Sequence, residues 1–486
     1  MINSIGSLSI TELKQEFHKG TVSPVDAISL LINDIEKYDN DVYSYLSIDK
    51  ESALKAAADA DISKPLGGIP IAIKDLINVK GQPCSCASQM LKDSYIATYD
   101  ATAIANLKSH GAIPFGRLNM DEFAMGSTTE NSGFHITKNP WDHSRIPGGS
   151  SGGSAACVAN GTAIASLGSD TGGSIRQPAS YCGVVGLKPS YGTVSRYGLV
   201  AFASSLDQIG PITKSSADAA VLLSAIAGKD PLDSTSIDNV ESNPLSKLNG
   251  DIKGFKIGIP KEYFTDGMDS NVSNCINDAI KTLESLGAEI IEISLPHTDY
   301  AVSTYYIIAT AEASANLARF DSVRYGHRAQ SPNDIIDQYK KSRSHGFGQE
   351  VKRRIILGTY VLSSGYNDAY YVKAQKVRTL IRDDFTRAFD KVDAIVSPTA
   401  PTTACKIGEM SDDPLEMYLA DIFTLAANLS GICGVSTPCG FVDTDENKKL
   451  PVGLQILGPP MQESKILCIS DAYEKATNWL SHKARQ

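Results

Sequence analysis

Residues 147–154 read PGGSSGGS and lie inside a run of 24 uncharged residues, Ile146–Ser169. The run contains six glycines and five serines, so it is long enough to span a bilayer but is not apolar enough to do so. A second uncharged run of 21 residues, Ile422–Val442, is interrupted by glycines, a proline and an asparagine. Neither run predicts a transmembrane segment, and the absence of charge from the first therefore needs another explanation.

The composition is that of a globular protein without a strongly basic surface. The 486 residues are 42% hydrophobic, and 45 basic against 55 acidic residues give a net charge of −10. Binding to phosphates is driven by clustered lysine and arginine, so a nucleic-acid substrate would have to be held by a partner. The length allows two or three domains, or one large α/β unit.

Cysteine and histidine usage predicts a cytoplasmic protein without a catalytic metal. The nine cysteines are scattered and include no CxxC pair, which is typical of reduced thiols. The eight histidines form no HExxH or HxxxH motif. The first residues, MINSIGSLSITELKQ, lack the basic start and the apolar core of a signal peptide.

Strand and helix patterns alternate along the chain, which predicts an α/β fold with a largely parallel or mixed sheet. A helical N-terminal segment is expected over about 1–60, because Ser9 and Ser23 each begin a helix-capping pattern. Strands are predicted at 69–73, 112–115, 255–259, 289–293, 394–396 and 452–457, and helices at 101–109, 155–165, 272–286, 302–320, 348–362, 368–388, 414–429 and 463–478. The polar segment 229–251 is interpreted as a surface loop or a hinge, with a partner-binding segment as the alternative.

A second glycine-rich motif, DTGGSIR at 170–176, places Ser174 24 residues after Ser150. Successive glycines let backbone N–H groups converge on one point, as an oxyanion hole requires. Ser174 is therefore a candidate nucleophile, with a tight turn as the alternative. The first motif also contains G-x-S-x-G, but residues 141–147 before it have a turn pattern and not the strand that a nucleophile elbow needs.

A serine nucleophile needs a base, and Lys74 is the best candidate. It follows an apolar strand, Ile69–Ile73, and strand ends are where α/β proteins place chemistry. Burial at this point disfavours the ammonium, so a neutral amine can serve as general base. His135 and His143 lie in polar loops without an orienting acid. The alternative for Lys74 is a side chain that extends to solvent or forms an ion pair.

Four segments resemble the motifs of the amidase signature family. They are Gly68–Asp75, Pro147–Ser154, Asp170–Arg176 and Gly183–Pro189. The similarity extends over nearly the whole chain. It implies a single amidase signature domain over 1–486, with a large mixed central β-sheet that is covered by helices on both faces.

The resemblance also implies a catalytic set of two serines and a lysine. Ser174 corresponds to the nucleophile that becomes acylated, Ser150 to a bridging serine that follows a cis peptide bond, and Lys74 to the base. The oxyanion donors correspond to the backbone at Thr171, Gly172, Gly173 and Ser174. Asp170 and Arg176, which flank the second motif with opposite charges, are interpreted as a scaffold pair.

Other segments resemble one branch of the family, the glutamine-hydrolysing A subunits of tRNA-dependent amidotransferases. These segments are Arg117–Ser132, Tyr305–Ala309, Glu312–Asp321, Arg324–Gly326, Gly346–Gly358 and Met417–Thr424. Glutamine carries an α-carboxylate and an α-ammonium, and burying either charge unpaired is costly. The resemblance assigns the carboxylate to Arg354, the ammonium to Asp421 and a third contact to Tyr305, with Tyr306 as a competitor for the last role.

In that branch, the A subunit releases ammonia from glutamine, the B subunit uses ATP and Mg²⁺ to activate a misacylated tRNA, and the C subunit holds the other two together. The resemblance implies B and C subunits as partners, a tRNA held mainly by the B subunit, and no cofactor, metal or membrane contact in this chain. Glu-tRNA(Gln) and Asp-tRNA(Asn) are both open as acceptors. The alternatives are a free-standing amidase of small amides and a non-catalytic scaffold that retains the fold.

Overall fold

The described part of the chain forms one large mixed β-sheet. A computed structural model describes residues 4–238, 241, 243–264, 267–410, 414–444, 446 and 448–484. Within these ranges the sheet has eleven strands. They are β1 (Tyr45–Ser47), β2 (Pro70–Lys74), β3 (Ile113–Leu118), β4 (Ala165–Asp170), β5 (Val185–Lys188), β6 (Gln208–Thr213), β7 (Lys256–Pro260), β8 (Glu289–Ile293), β9 (Ala394–Pro398), β10 (Cys433–Asp443) and β11 (Lys449–Gly458).

The strand order across the sheet is β1-β3-β2-β4-β6-β5-β10-β11-β9-β7-β8. Strand β2 pairs in parallel with β3 and β4, and β7 pairs in parallel with β8 and β9. The pairs from β4 to β9 across the middle of the sheet are antiparallel. The predicted α/β class with a large mixed sheet is confirmed.

Fifteen α-helices are described in the same ranges, and several pack directly on the sheet. They are α1 (Ile10–Lys19), α2 (Pro24–Tyr38), α3 (Lys50–Ala58), α4 (Thr102–Ser109), α5 (Gly152–Ala159), α6 (Arg176–Cys182), α7 (Ser216–Ile226), α8 (Ser270–Ser285), α9 (Ala301–Asn316), α10 (Ile335–Gly346), α11 (Gln349–Leu362), α12 (Lys373–Phe389), α13 (Pro414–Leu419), α14 (Leu425–Ser430) and α15 (Glu463–Ala476). Both predicted N-terminal caps are present, because Ser9 and Ser23 each accept a backbone N–H three residues on. None of these described helices has the length and apolar character that crossing a bilayer requires.

Two predicted helices differ from the observed elements. The helix predicted at 155–165, with an interruption at Asn160-Gly161, begins earlier, as α5, and does not resume after that interruption; residues 165–170 form β4 instead. All six residues of β4 are buried between β2 and β6, so no alternation of polar and apolar residues marks the strand. The helix predicted at 414–429 is two helices, α13 and α14, separated by residues 420–424.

The start of segment 229–251 is attached to the body of the protein. Asp230 Oδ2 accepts hydrogen bonds from the Thr102 and Ser195 hydroxyls at 2.5 Å, and the Arg196 N–H donates to Asp233 Oδ2 at 2.8 Å. Residues 239, 240 and 242 of this segment lie outside the described residues. Its role as a hinge or a surface loop stays a prediction, as does the single-domain organisation.

A buried ion pair fixes the loop that follows β4. Asp170 and Arg176 are both fully buried, and Arg176 Nε lies 3.1 Å from Asp170 Oδ2. Arg176 also donates to Gln455 Oε1 at 2.7 Å and to Asn428 Oδ1 at 2.6 Å. Burial alone would raise the pKa of Asp170, but the Arg176 guanidinium lowers it to about 2. This pair therefore has the contacts expected of a scaffold around Ser174.

We expect Arg176→Met to destabilise the protein by about 3–5 kcal/mol, because it leaves the Asp170 carboxylate buried without a counter-ion. Urea unfolding followed by circular dichroism measures the change in the free energy of unfolding. The control is Lys281→Ala, whose pair with Asp278 is exposed on both sides and should contribute less than about 1 kcal/mol. Equal losses for the two variants would contradict a scaffold role for the buried pair.

Candidate active site

Lys74 lies at the carboxyl end of β2 with its side chain fully buried. Its Nζ donates to the hydroxyls of Ser150 at 2.7 Å, Ser151 at 2.8 Å and Ser169 at 3.0 Å. The lysine lies on β2, the first two serines lie in the loop directly before α5, and the third lies on β4. The uncharged run therefore surrounds a single amine with hydroxyl groups.

Burial lowers the pKa of Lys74 to about 7, against the opposing effect of the carboxylates of Asp121, Asp170 and Asp207. A substantial fraction of the amine is thus neutral near pH 7, with a lone pair that can accept a proton. The Ser151 hydroxyl donates to the Ser169 carbonyl at 3.1 Å. It therefore only accepts from Lys74, and the hydroxyl left to donate to the lone pair is that of Ser150 or Ser169.

The Ser150 backbone is held by the Asp121 loop. The peptide bond between Gly149 and Ser150 is cis, as the resemblance implies. The Asp121 N–H donates to the Ser150 carbonyl at 3.2 Å, and Asp121 Oδ2 accepts the Thr129 N–H at 2.9 Å. A Cβ at Gly149 would overlap Asp121 Oδ2, so only glycine fits before Ser150.

Ser174 is the member of the predicted set that is closest to solvent. It is 9% exposed, whereas Lys74 and Ser150 are 0% exposed. Its carbonyl accepts the Ser151 N–H at 3.2 Å, which ties the two glycine-rich loops together. Across the residues that the structure describes, the Ser174 hydroxyl has no hydrogen-bond partner. It is therefore available to a substrate.

The predicted oxyanion donors are not equivalent. The Gly173 N–H already donates to Asp170 Oδ1 at 2.8 Å. The N–H groups of Thr171, Gly172 and Ser174 have no acceptor in the described part of the chain. In this conformation three of the four predicted donors are free to bind a developing oxyanion.

Asp421 lies beside the same loop with half of its carboxylate unpaired. Its Oδ2 accepts the Ser127 hydroxyl, and its Oδ1 is buried and has no partner among the described residues. A Cβ built on Gly173 would lie 3.2 Å from that free oxygen. Burial raises the pKa of Asp421 to about 7. A cation at Oδ1 would satisfy the unpaired oxygen and favour the ionised carboxylate.

Arg354 projects from α11 into an aromatic enclosure. Its Nε donates to Glu350 Oε1 at 2.7 Å, and its guanidinium carbon lies 5.4 Å from the Tyr306 ring centroid, 5.5 Å from Phe202 and 5.7 Å from Tyr418. Its two terminal nitrogens bond to no described residue. They present the planar pair of N–H donors that suits a carboxylate.

Tyr305 and Tyr306 contact different parts of the site. The Tyr305 hydroxyl lies against the oxyanion loop, since a Cβ on Gly172 would be 2.8 Å from it. The Tyr306 ring stacks on Tyr418 at 3.8 Å and faces Arg354. Tyr305 therefore lies beside the oxyanion loop and Tyr306 beside Arg354, and the assignment of the third glutamine contact to Tyr305 stays a prediction.

A family model described as Amidase matches residues 26–467. The chain belongs to the amidase family. A relative from Methylacidiphilum infernorum (isolate V4), the A subunit of glutamyl-tRNA(Gln) amidotransferase, is 57% identical over 478 residues, which cover 97% of this chain and 95% of the relative.

Two solved structures show the breadth of this amidase family. The crystal structure of the glutamyl-tRNA(Gln) amidotransferase A subunit from Thermotoga maritima matches with a TM-score of 0.79 and 41% identity, and it covers 98% of this chain and 96% of that one. A peptide amidase from Stenotrophomonas maltophilia matches with a TM-score of 0.80 and 27% identity, covering 97% of each chain. A protein named as an amidotransferase subunit and one named as a peptide amidase therefore share this fold.

Sequence reasoning missed the residues that hold the predicted amidase site in place. They are Asp121, Ser127, Ser151, Ser169, Gln177, Glu350 and Tyr418. The sequence did mark the region of Ser151 and Ser169, because both lie in the uncharged run that precedes the Asp170 loop. Glu350 pairs with Arg354 one helical turn further on, which is a local spacing. Asp121, Ser127, Gln177 and Tyr418 act through contacts more distant in sequence and carry no local pattern. Within the described ranges, no group of three or more His, Cys, Asp or Glu side chains could hold a metal ion.

Proposed function

We propose that this chain is the glutamine-hydrolysing subunit of a tRNA-dependent amidotransferase. The observation that carries the proposal is the buried Asp421, whose free carboxylate oxygen lies beside the Ser174 loop. An α-ammonium is the substrate group that would neutralise it, and Arg354 supplies donors for an α-carboxylate. The identity to relatives named as A subunits of glutamyl-tRNA(Gln) amidotransferase supports the same function.

The proposed reaction begins with proton transfer from Ser174 to Ser150 as Ser150 gives its own proton to neutral Lys74. Ser174 Oγ attacks the carboxamide carbon, and the N–H groups of Thr171, Gly172 and Ser174 bind the oxyanion. The C–N bond breaks as the relay returns the proton to the leaving ammonia. Water then attacks the γ-glutamyl ester by the same relay and releases glutamate, which regenerates the Ser174 hydroxyl.

The proposed complex separates ammonia production from tRNA binding. The B subunit would hold ATP, Mg²⁺ and the misacylated tRNA, and the C subunit would join this chain to it in the cytoplasm. The net charge of −10 of this chain fits that division, because a phosphate backbone would be repelled. Both Glu-tRNA(Gln) and Asp-tRNA(Asn) are candidate acceptors, and no cofactor is proposed for this chain.

The test of the function compares amide substrates, using the chain with the subunits that co-purify with it. We expect ammonia release from glutamine and little from aryl or long-chain amides, which have no charges for Arg354 and Asp421. A free-standing amidase of small amides would show the reverse preference without partners. Strong activity on aryl amides and none on glutamine would overturn the proposal.

We expect Arg354→Lys to raise the KM for glutamine about 100-fold, because one ammonium cannot reproduce two planar donors to a carboxylate. The matched control is the neighbouring Arg353→Lys. Arg353 is 44% exposed, and its pair with Glu350 survives as a lysine pair. Its KM should change less than about threefold, because the lysine keeps the charge and the pair with Glu350 on the solvent-exposed side. Steady-state kinetics of ammonia release measures both, and equal KM values for the two variants would contradict the carboxylate assignment.

A further inference from the structure

Gln177 connects the Ser150 loop to the segment that contacts Asp421. It is the second residue of α6, and its side chain is fully buried. Its Oε1 accepts the Gly149 N–H at 3.0 Å, and its Nε2 donates to the Ser127 carbonyl at 2.9 Å. Both ends of the amide therefore bond to backbone, one on the loop before Ser150 and the other on the loop that contains Ser127.

The series of hydrogen bonds continues from Ser127 to Asp421. The same residue whose carbonyl accepts from Gln177 donates its hydroxyl to Asp421 Oδ2. The other carboxylate oxygen, Oδ1, is the buried oxygen without a partner in the described part of the chain. A continuous series of hydrogen bonds thus runs from Asp421 through Ser127 and Gln177 to Gly149, whose next residue is Ser150.

We propose that Gln177 is a positioning residue that makes the placement of Ser150 depend on an α-ammonium bound at Asp421. This inference rests on the proposed function, because the ammonium is that of glutamine. A cation at Oδ1 keeps the carboxylate ionised, and the Ser127 hydroxyl then forms a charge-assisted hydrogen bond, which is stronger than a neutral one. The stronger bond fixes Ser127, and Gln177 transmits that position to the backbone before Ser150.

The connection is weaker when the Asp421 carboxyl group is neutral. Without a cation, burial raises the pKa of Asp421 to about 7, so a large fraction of the carboxyl groups is neutral near that pH. A substrate that lacks the ammonium does not keep Asp421 ionised, so the hydrogen bond from the Ser127 hydroxyl to Asp421 stays weaker. Gln177 therefore favours hydrolysis of amides that carry an α-ammonium, and it does so without contacting the substrate.

The experiment compares glutamine with glutaramic acid, which has the same carboxylate and carboxamide but no α-ammonium. In Gln177→Leu we expect kcat/KM for glutamine to fall about 10- to 100-fold, because the variant leaves the Gly149 N–H and the Ser127 carbonyl buried without their partner. For glutaramic acid we expect a change of less than about threefold, because the connection contributes little there. The full chain is used with the subunits that co-purify with it.

A double-mutant cycle separates the connection from general damage to the fold. Ser127→Ala and Asp421→Asn should show the same selective loss for glutamine, and adding Gln177→Leu to Asp421→Asn should cost less than about threefold more. The control is Gln338→Leu, since Gln338 is another buried amide in a helix, and its side chain donates to the Ser342 hydroxyl at 2.8 Å. Its ratio of glutamine to glutaramic acid activity should equal that of the wild type.

Equal losses for both substrates in Gln177→Leu would overturn the inference and leave Gln177 as a purely structural residue. Additive losses in the cycle would overturn it as well, because Gln177 and Asp421 would then act independently. Either result leaves the proposed function standing as long as the wild type hydrolyses glutamine. A wild-type protein that hydrolyses neither substrate would overturn the proposed function, and this inference with it.

Discussion

Ser174→Ala is expected to reduce glutamine-dependent amidation of tRNA by on the order of 10⁴- to 10⁶-fold, the loss seen when a serine nucleophile is removed. Amidation supplied with free ammonia should be unchanged, because the variant loses only the source of ammonia. Ser174 is the least buried member of the predicted set, and its hydroxyl has no partner in the described part of the chain. Its removal therefore breaks no internal hydrogen bond and should leave the fold intact. Both rates are obtained by measuring the formation of amidated tRNA by the complex, first with glutamine and then with free ammonia as the nitrogen donor.

The matched control is Ser154→Ala, from the same glycine- and serine-rich stretch. Ser154 is also buried, but among the described residues its hydroxyl makes only a long 3.4 Å hydrogen bond, to the Leu167 carbonyl. Its glutamine-dependent rate should stay within about threefold of wild type, as expected for a neutral and weak hydrogen bond. A γ-glutamyl ester trapped on wild-type protein and absent from Ser174→Ala would identify the acylated residue. Loss of ammonia-dependent amidation in Ser174→Ala would mean that the serine is structural.

Most of the strands that sequence patterns failed to predict lie at the centre of the sheet. β4, β6, β5 and β10 are four consecutive strands in the middle of the sheet order, and each contains at least one glycine. Glycine is the physical reason, because it weakens strand propensity and marks close approach. A Cβ at Gly186 in β5 would lie 2.6 Å from the Ala179 Cβ in α6. The helix that follows Ser174 packs so tightly on the sheet that a normal strand sequence does not fit.

The candidate site residues were easier to single out in the sequence than the central strands, because they lie at recognisable boundaries; their catalytic roles stay a prediction. Lys74 follows an apolar strand and Ser174 ends a glycine pair, and each position has a local signature. The residues that support them have none. Gln177 contacts Ser127, 50 positions away, and Ser127 contacts Asp421, 294 positions away. Such pairs follow from the path of the chain through the sheet, which no local pattern encodes.

We expect the pH profile of kcat/KM to show the ionisation of two groups in the free protein, and the pH profile of kcat to show the ionisation of one group in the substrate complex. Lys74 must be neutral and Asp421 must be ionised, and burial brings the pKa of each to about 7. As pH falls below 7, Lys74 gains a proton and loses its lone pair, while Asp421 gains a proton and loses its charge. The slope of log kcat/KM against pH should therefore approach about 2 on the acid side. Bound ammonium keeps Asp421 ionised, so log kcat should fall with a slope of about 1.

Variants assign each group in these profiles. Lys74→Met should lower kcat by about 10³- to 10⁴-fold and remove its acid limb, because the general base is gone. Asp421→Asn should keep the kcat limb and reduce the kcat/KM slope to about 1, since only Lys74 still titrates. Glu122→Gln is the matched control, because burial also raises the pKa of Glu122 to about 7, and its profiles should match the wild type. An acid limb that persists in Lys74→Met, with measurable residual activity, would show that another group is the base. A shift of the acid limb of kcat in Glu122→Gln would show that Glu122, and not Lys74, is the group that titrates in the substrate complex.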